Sequence, residues 1–174
     1  MLTLSAIAAP VAADVAALGA LFRDSVEHGA SIGYVLPLEQ AAVDSYWRSV
    51  FADVDAGRRV LIVARNAAKL CGSAQLDLCA KPNGLHRAEV QKVMVHSACR
   101  RRGYALKLMA QIEHEAIARG RTLLTLDTET GSGAESLYEK CGYQRVGSIP
   151  RFALSPGREL HATTVFYREL VAPK

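Results

Sequence analysis

A chain of 174 residues, half of them hydrophobic and 22% charged, is long enough to bury a core and too apolar to be disordered. Its net charge of +4 is too small to indicate nucleic-acid binding by itself, and no apolar run approaches the roughly 18 residues of a membrane span. Four cysteines without a C-x-x-C pair indicate reduced thiols. We therefore expect one soluble, cytoplasmic domain covering residues 1–174, with no metal.

The first half of the chain predicts a strand, two helices and an antiparallel meander. Leu2–Ala8 has the composition of a strand, and ranges 11–26 and 38–56 repeat apolar residues at helical spacing. The second helix is expected to bury Ala42, Tyr46, Val50 and Val54. Strands are predicted at 60–64, 69–79 and 88–95. Strict alternation in the last strand would place Val90, Lys92 and Met94 on one side.

The second half of the chain predicts alternating strands and helices. A long amphipathic helix is expected over 103–119, with Gly120 at its end. A strand at 123–126, a short helix at 134–140 and strands at 143–149 and 163–167 follow, the last two joined by a loop containing Pro150. The pattern as a whole predicts an α/β domain with a mixed sheet.

The most informative segment runs from Val93 to Met109, where an apolar strand leads through an arginine-rich turn into the long helix. Free amides at a helix start carry partial positive charge, and Gly103 lets a ligand approach the backbone closely. The spacing Arg100-x-x-Gly103-x-Ala105 therefore indicates a turn that binds a diphosphate. Neither a P-loop nor a G-x-G-x-x-G fingerprint is present. A solvated basic corner and a nucleic-acid patch are the alternative interpretations.

This turn resembles the cofactor motif Q/R-x-x-G-x-G/A of the GNAT superfamily of N-acetyltransferases, and the order of strands and helices resembles that fold. The resemblance implies a GNAT-like, mostly antiparallel sheet with about four helices, whose strands splay where acetyl-CoA binds. It further implies a set of cofactor-binding residues: Val93, Met94, Val95, Arg100, Arg101, Arg102, Gly103, Tyr104 and Ala105. Tyr104 is bulkier than is common in the motif, and His96-Ser97 replaces a frequent proline.

A narrower resemblance joins three segments to the tabtoxin resistance acetyltransferases, which inactivate a β-lactam amino-acid toxin. The segments are 79–95, Leu126-Asp127-Thr128-Glu129 and Gly157-Arg158-Glu159-Leu160-His161. The resemblance implies that Glu89 and Asp127 act as base or bind the amine. Salt bridges of these carboxylates to Arg87, Lys92 or Arg121 are the alternative. An acceptor carrying a carboxylate, paired with Arg87 or Lys92, would fit the same resemblance.

Three further predictions concern the reaction. Tyr138, in a segment resembling the family's short helix, is the candidate acid for the departing thiolate, since a phenol of pKa about 10 could hand over its proton as a thiolate, whose thiol has a pKa of about 8.5, leaves. In the family, a bulge in the fourth strand frees an amide for the thioester carbonyl, which implies amides near Met94 and Val95. By analogy, Ser31, Ile32 and Gly33 line the acceptor pocket.

These residues and the family resemblance together predict an enzyme that transfers an acetyl group from acetyl-CoA to a small-molecule amine by direct attack, without nucleic acid or membrane partners. Cys99 is a less favoured nucleophile, although a nearby helix start would lower its pKa. The alternative functions are an acyl-CoA sensor without turnover and a nucleic-acid module using residues 100–102. Both a monomer and a homodimer are compatible with the sequence.

Overall fold

A computed structural model describes residues 1–170 as one seven-stranded sheet with four α-helices. The strands are β1 (Leu2–Ala6), β2 (Arg59–Asn66), β3 (Lys69–Leu78), β4 (Arg87–Val95), β5 (Leu123–Glu129), β6 (Gln144–Leu154) and β7 (Leu160–Glu169). The α-helices are α1 (Ala12–Glu27), α2 (Gln40–Asp55), α3 (Tyr104–Ala118) and α4 (Gly133–Lys140). Single 3₁₀ turns lie at Pro82–Gly84 and Ser97–Cys99. None of the described helices combines the length and apolarity needed to cross a bilayer.

The strand order β1-β2-β3-β4-β5-β7-β6 confirms the mixed, mostly antiparallel sheet. Only the β4–β5 pair is parallel in the described part of the chain, and it is short, from Arg87 opposite Leu123 to Glu89 opposite Thr125. Beyond these residues β4 and β5 continue without pairing with each other, although β4 still pairs with β3 and β5 with β7. The sheet therefore opens between the ends of β4 and β5, which is the predicted splay.

Two hydrophobic clusters cover opposite faces of the sheet, because alternate residues of β2 belong to different clusters. α1 and α2 cover one face around Phe22 and Trp47, which are almost completely buried. α3 covers the other face with Leu108, Met109 and Ile112. The turn that precedes α3 is thus anchored to a helix with a fully buried face.

Two predictions about the elements were wrong in detail. α2 buries Val50 as predicted and packs Tyr46 and Val54 partly buried on the same cluster, but its most buried residues also include Val43 and Trp47, because the large indole turns the packed face toward them. Strand β6 continues to Leu154 and includes Pro150, where a loop was predicted. β6 is the edge of the sheet, and Pro150 lies in the irregular stretch between Ile149 and Ala153, where an absent amide costs no ladder hydrogen bond.

The predicted alternation along β4 was also wrong, because the strand contains a bulge. Ser73 pairs with Met94 and Gln75 with Gln91, so two residues of β4, Lys92 and Val93, lie opposite the single residue between them. The extra residue reverses which side the following side chains face. Val90 therefore packs in the α3 cluster, whereas Met94 packs under α1 and α2.

Candidate active site

The turn between β4 and α3 contains two residues with positive φ angles. Arg101 has a φ of 60° and Gly103 a φ of 74°, the left-handed region that glycine adopts most easily. Gly103 is the N-cap residue directly before α3, and a Cβ built there would meet no heavy atom within 4 Å. The glycine is therefore needed for its backbone conformation and for open space above it, and not for packing within the chain.

Several successive backbone amides at this turn lack a backbone acceptor within residues 1–170. Lys107 is the first residue of α3 whose amide binds back into the turn, to the carbonyl oxygen of Gly103 at 3.2 Å. Among the described residues, no backbone carbonyl accepts a hydrogen bond from the amides of residues 101–106. Free amides at a helix N-terminus attract anions because the helix dipole adds to their own partial charge.

A groove of about 630 Å³ extends from this turn to the gap between β4 and β5. Eight of the nine residues predicted to bind the cofactor line it: Val93, Met94, Val95, Arg100, Arg101, Gly103, Tyr104 and Ala105. Arg102 does not line the groove, because the positive φ angles of Arg101 and Gly103 on either side of it direct its side chain elsewhere. The Nε of Arg100 donates to the carbonyl oxygen of Val95 at 3.3 Å, which holds this side chain along the start of the turn.

An aspartate from α1 fixes the beginning of the turn. Asp24 accepts hydrogen bonds from the backbone N and the Oγ of Ser97, at 2.7 and 2.6 Å. Burial raises the pKa of Asp24, but the two bonds from Ser97 and the nearby His96 and His28 outweigh it, so the pKa lies below its usual value. Sequence reasoning missed Asp24, because nothing local marks a partner 73 positions away.

A second cavity, of about 370 Å³, lies on the other side of the gap between β4 and β5. All three residues predicted to contact the acceptor, Ser31, Ile32 and Gly33, line it, as do Glu89 and Asp127. The loop that carries the first three is tied down at Leu36. The Leu36 amide donates to the Pro156 carbonyl at 2.9 Å, and the Nε of Arg158 donates to the Leu36 carbonyl at 3.0 Å.

The two predicted carboxylates differ in their surroundings. Glu89 is exposed to the cavity and forms no ion pair with any residue between 1 and 170. Asp127 is also exposed, and its Oδ2 accepts a hydrogen bond from the Thr163 hydroxyl at 2.6 Å. Arg121 binds instead to the carbonyl oxygens of Cys79 and Leu85. The alternative, that these carboxylates serve in salt bridges, thus finds no support in the described chain.

Three further ionisable residues line the second cavity: Lys92, which sequence reasoning offered as a partner for an acceptor carboxylate, and Glu129 and His161, to which it assigned no active role. Lys92 projects from the bulge of β4. Glu129 and His161 form a pair, with 3.2 Å between Oε1 and Nδ1. Glu129 pairs in register with Thr163, so the antiparallel β5–β7 ladder brings the two side chains together. The separation in sequence hid this pair, and a prediction of strand register would have been needed to find it.

Tyr138 lies where the two cavities meet. The cavities share Gly29, Ala30, Val93, Ala134 and Tyr138 as lining residues. Burial raises the pKa of Tyr138, as does the negative charge of Asp127, so its hydroxyl keeps its proton at neutral pH. This hydroxyl has no hydrogen-bond partner within the described residues. A protonated, unengaged phenol therefore borders both cavities.

Comparisons with known proteins agree with this arrangement. The family model described as acetyltransferase (GNAT) domain matches residues 57–145, slightly more than half of the chain. The chain belongs to the GNAT acetyltransferase family. An uncharacterized N-acetyltransferase of Azospirillum brasilense is 33% identical over 106 residues, which are 60% of this chain and 61% of that protein. The aligned region is therefore less than two thirds of that relative.

Solved structures of other acetyltransferases share the fold at low sequence identity. An N-acetyltransferase from Staphylococcus aureus superposes with a TM-score of 0.80 at 15% identity, covering 98% of this chain and 99% of its own. The yncA protein of Salmonella typhimurium, whose structure contains its cofactor acetyl-CoA, has a TM-score of 0.79 at 20% identity, covering 99% and 95%. These likenesses show the architecture of the sheet and helices.

Members of the GNAT family use acetyl-CoA, and the residues of this chain fit that cofactor. The free amides of residues 101–106 and the side chains of Arg100 and Arg101 suit a diphosphate. Cys99 also lines the groove, but burial and its contact with Cys71 raise the pKa of its thiol, contrary to the lowering expected from the helix start. The groove therefore presents free amides, guanidinium groups and the phenol of Tyr138, and not a reactive thiolate.

Proposed function

We propose that the protein is an acetyl-CoA-dependent N-acetyltransferase that acetylates the amine of a small, amino-acid-like molecule by direct attack in a ternary complex. One observation carries the proposal: a groove suited to the cofactor and a cavity lined by carboxylates meet at Tyr138. A sensor of acyl-CoA would need the first cavity but has no use for the second. The resemblance to tabtoxin resistance acetyltransferases supports a toxin or antibiotic as the acceptor.

The cofactor-binding residues act by position and charge. Residues 101–106 and the neighbouring arginines hold the diphosphate, and Val93, Met94 and Val95 line the groove where β4 and β5 part. When bound, acetyl-CoA supplies an activated acetyl group as its thioester. The bulge at Lys92 and Val93 interrupts pairing with β3, which leaves backbone amides in this stretch available to an oxyanion. It lies just ahead of Met94 and Val95, the residues that the family resemblance implied.

The carboxylates and the phenol divide the proton transfers. An amine of ordinary basicity is protonated at neutral pH and must lose a proton before it attacks. Glu89 and Asp127 are the candidate bases, and the one that is not the base binds the ammonium group. Tyr138 then donates its proton to the departing thiolate. Burial raises the pKa of the Tyr138 hydroxyl and so makes it a weaker acid. The same burial also raises the pKa of the coenzyme thiol beside it, because it disfavours the charged thiolate, and this offsets the effect on the proton transfer.

Two assays test the proposal. Acetyl-CoA should raise the melting temperature of the protein by mass action, while duplex DNA at equal concentration should not. Release of free coenzyme A thiol on addition of amines from a library should then identify the acceptor, with a Glu89→Gln, Asp127→Asn double variant as the control. Binding without thiol release for any amine would favour a sensor. Stabilisation by DNA alone would favour a nucleic-acid protein.

A further inference from the structure

Lys92 occupies an unusual place in the acceptor cavity. It lies at the bulge of β4 with a φ of 49°, a left-handed conformation that costs a non-glycine residue free energy. Its side chain lines the cavity of about 370 Å³ near the loop that carries Ser31, Ile32 and Gly33. The Nζ atom lies 3.9 Å from the position of a Cβ built on Gly33. The strained backbone thus places an ammonium group beside Gly33, in the loop predicted to contact the acceptor.

No side chain of the described chain neutralises this ammonium group by direct contact. Glu89 and Asp127 attract Lys92, but neither forms an ion pair with it. Arg59, whose charge acts on Lys92, is already engaged, with Nη2 at 2.6 Å from Asp77 and Nη1 at 2.8 Å from Gln75. Burial and the charge of Arg59 lower the pKa of Lys92, as expected for a desolvated cation without a contacting anion.

The other charges in the cavity suggest what completes the site. Glu129 is paired with His161, which leaves Glu89 and Asp127 for a cationic group of the acceptor. We propose, on the basis of the function proposed above, that Lys92 binds a carboxylate of the acceptor, so that the enzyme selects zwitterionic amino acids over simple amines. Carboxylates and an ammonium group in one cavity match the two charges of such a molecule.

The position of Lys92 in the chain also limits the spacing of those charges. Lys92 directly precedes Val93, which lines both cavities at the place where they meet. Glu89 and Asp127 line the same cavity of about 370 Å³ as Lys92, so the cationic and anionic groups of an acceptor would both have to lie within that volume. An acceptor whose amine and carboxylate are separated by one or a few carbon atoms fits this geometry better than one with widely separated groups.

A comparison of paired substrates tests the proposal. The common amino acids and their carboxamides differ in the negative charge, and thiol release gives kcat/KM for both members of each pair. We expect the wild type to prefer the acid by at least about 10-fold, and Lys92→Met to remove most of that preference by lowering kcat/KM for the acid more than for the carboxamide. Arg87→Met removes a cation from the same strand but outside the cavity, and this variant should keep the preference for the acid.

The Lys92→Arg variant should retain part of the preference, because it keeps the positive charge. Equal rates for acids and carboxamides in the wild type would overturn the role of Lys92 while leaving the proposed acetyltransferase function intact. An equal loss for both members of each pair in Lys92→Met would overturn it as well, since that result indicates a general structural effect.

A binding experiment tests the anion site without turnover. Reductive ¹³C-methylation of lysines gives each a resonance, and Lys92→Arg identifies that of Lys92. N-acetylglycine, added to the protein with coenzyme A, should shift this resonance, whereas N-acetylglycinamide should not. No shift with either compound would contradict the anion site, even if the protein acetylates no amine in the panel and the proposed function itself fails.

Discussion

Both carboxylate oxygens of Asp24, near the end of α1, bind Ser97, just after β4: Oδ1 accepts from Oγ at 2.6 Å and Oδ2 from the backbone N at 2.7 Å. The pair ties the helix packed on one face of the sheet to the turn that leads into the helix on the other. Because the free amides of residues 101–106 follow directly, we infer that Asp24 positions the cofactor turn without touching the cofactor.

Removing this carboxylate should loosen the turn. We expect Asp24→Ala to lower the free energy of unfolding by about 1–3 kcal/mol and to weaken coenzyme A binding several-fold, because a backbone amide and a hydroxyl lose their acceptor. Ser97→Ala, which keeps the hydrogen bond from the backbone N–H of residue 97 to Asp24, should have a smaller effect. Denaturation and calorimetry measure both effects, and a double-mutant cycle should show coupling between the two residues. Additive effects would show that the contact contributes nothing.

The contribution of Asp24 should depend on pH. Its pKa lies below the ordinary value of 3.8, so the folded protein favours the ionised form. A depressed acid contributes stability above its unfolded pKa and loses it as the pH falls through the folded pKa. The difference in melting temperature between the wild type and Asp24→Ala should therefore be constant near neutral pH and shrink below about pH 4. A difference that persists in acid would show that the contribution of Asp24 is not electrostatic.

The arginine turn offers a matched comparison. Arg100→Ala and Arg101→Ala should each raise the Kd for coenzyme A by about 10-fold, or about 1.4 kcal/mol, because both side chains line the groove. Arg102→Ala makes the same change in charge outside the groove and should have less effect. The differences should fall at high salt, as the charges become screened. Equal effects from all three substitutions would show that only the net charge of the turn matters.

Tyr138 can be tested against a neighbouring tyrosine. Tyr138→Phe should lower kcat by about 10- to 100-fold through loss of the acid, with little change in Kd for coenzyme A. Tyr143, whose ring centroid is 6.1 Å from that of Tyr138, is buried and does not line either cavity. Tyr143→Phe should therefore leave kcat nearly unchanged. Full turnover in Tyr138→Phe would exclude the phenol as the acid.

Kinetics should separate the roles of the two carboxylates. Glu89→Gln and Asp127→Asn remove one charge each, and the variant that lacks the base should lose kcat and the acidic limb of the pH–rate profile. The variant that lacks the amine-binding group should mainly raise KM. Thr163→Val should reproduce a mild form of Asp127→Asn, because the Thr163 hydroxyl orients that carboxylate. If neither charge substitution alters the profile, the base lies elsewhere, and the Glu129–His161 pair is the next candidate.

Lys92 should cost the fold stability. Its pKa is lowered, so the folded state disfavours the ammonium form at neutral pH, and this cost should fade as the pH rises toward the ordinary value of 10.5. We expect Lys92→Met to melt at the same temperature as the wild type or up to about 2–4 °C higher. Calorimetry near pH 7 measures this. A clear fall in melting temperature would indicate that Lys92 makes a stabilising ion pair.

The features that the sequence predicted correctly depend on local patterns. The apolar spacing of Leu108, Met109 and Ile112, with Gly103 before it, predicts a helix and its start without knowledge of the rest of the chain. The features it missed depend on tertiary structure. The bulge at Lys92 leaves a regular β pattern in the sequence and yet moves Met94 to the opposite face of the sheet. The pairs Asp24–Ser97 and Glu129–His161 need strand register and helix packing to be known first.

The structure of the protein crystallised with coenzyme A tests the central claim most directly. We predict density for the diphosphate against the amides of residues 101–106, with the thiol end between β4 and β5 beside Tyr138. Coenzyme A bound elsewhere, with this turn bare, would contradict the assignment of the groove and with it the proposed reaction.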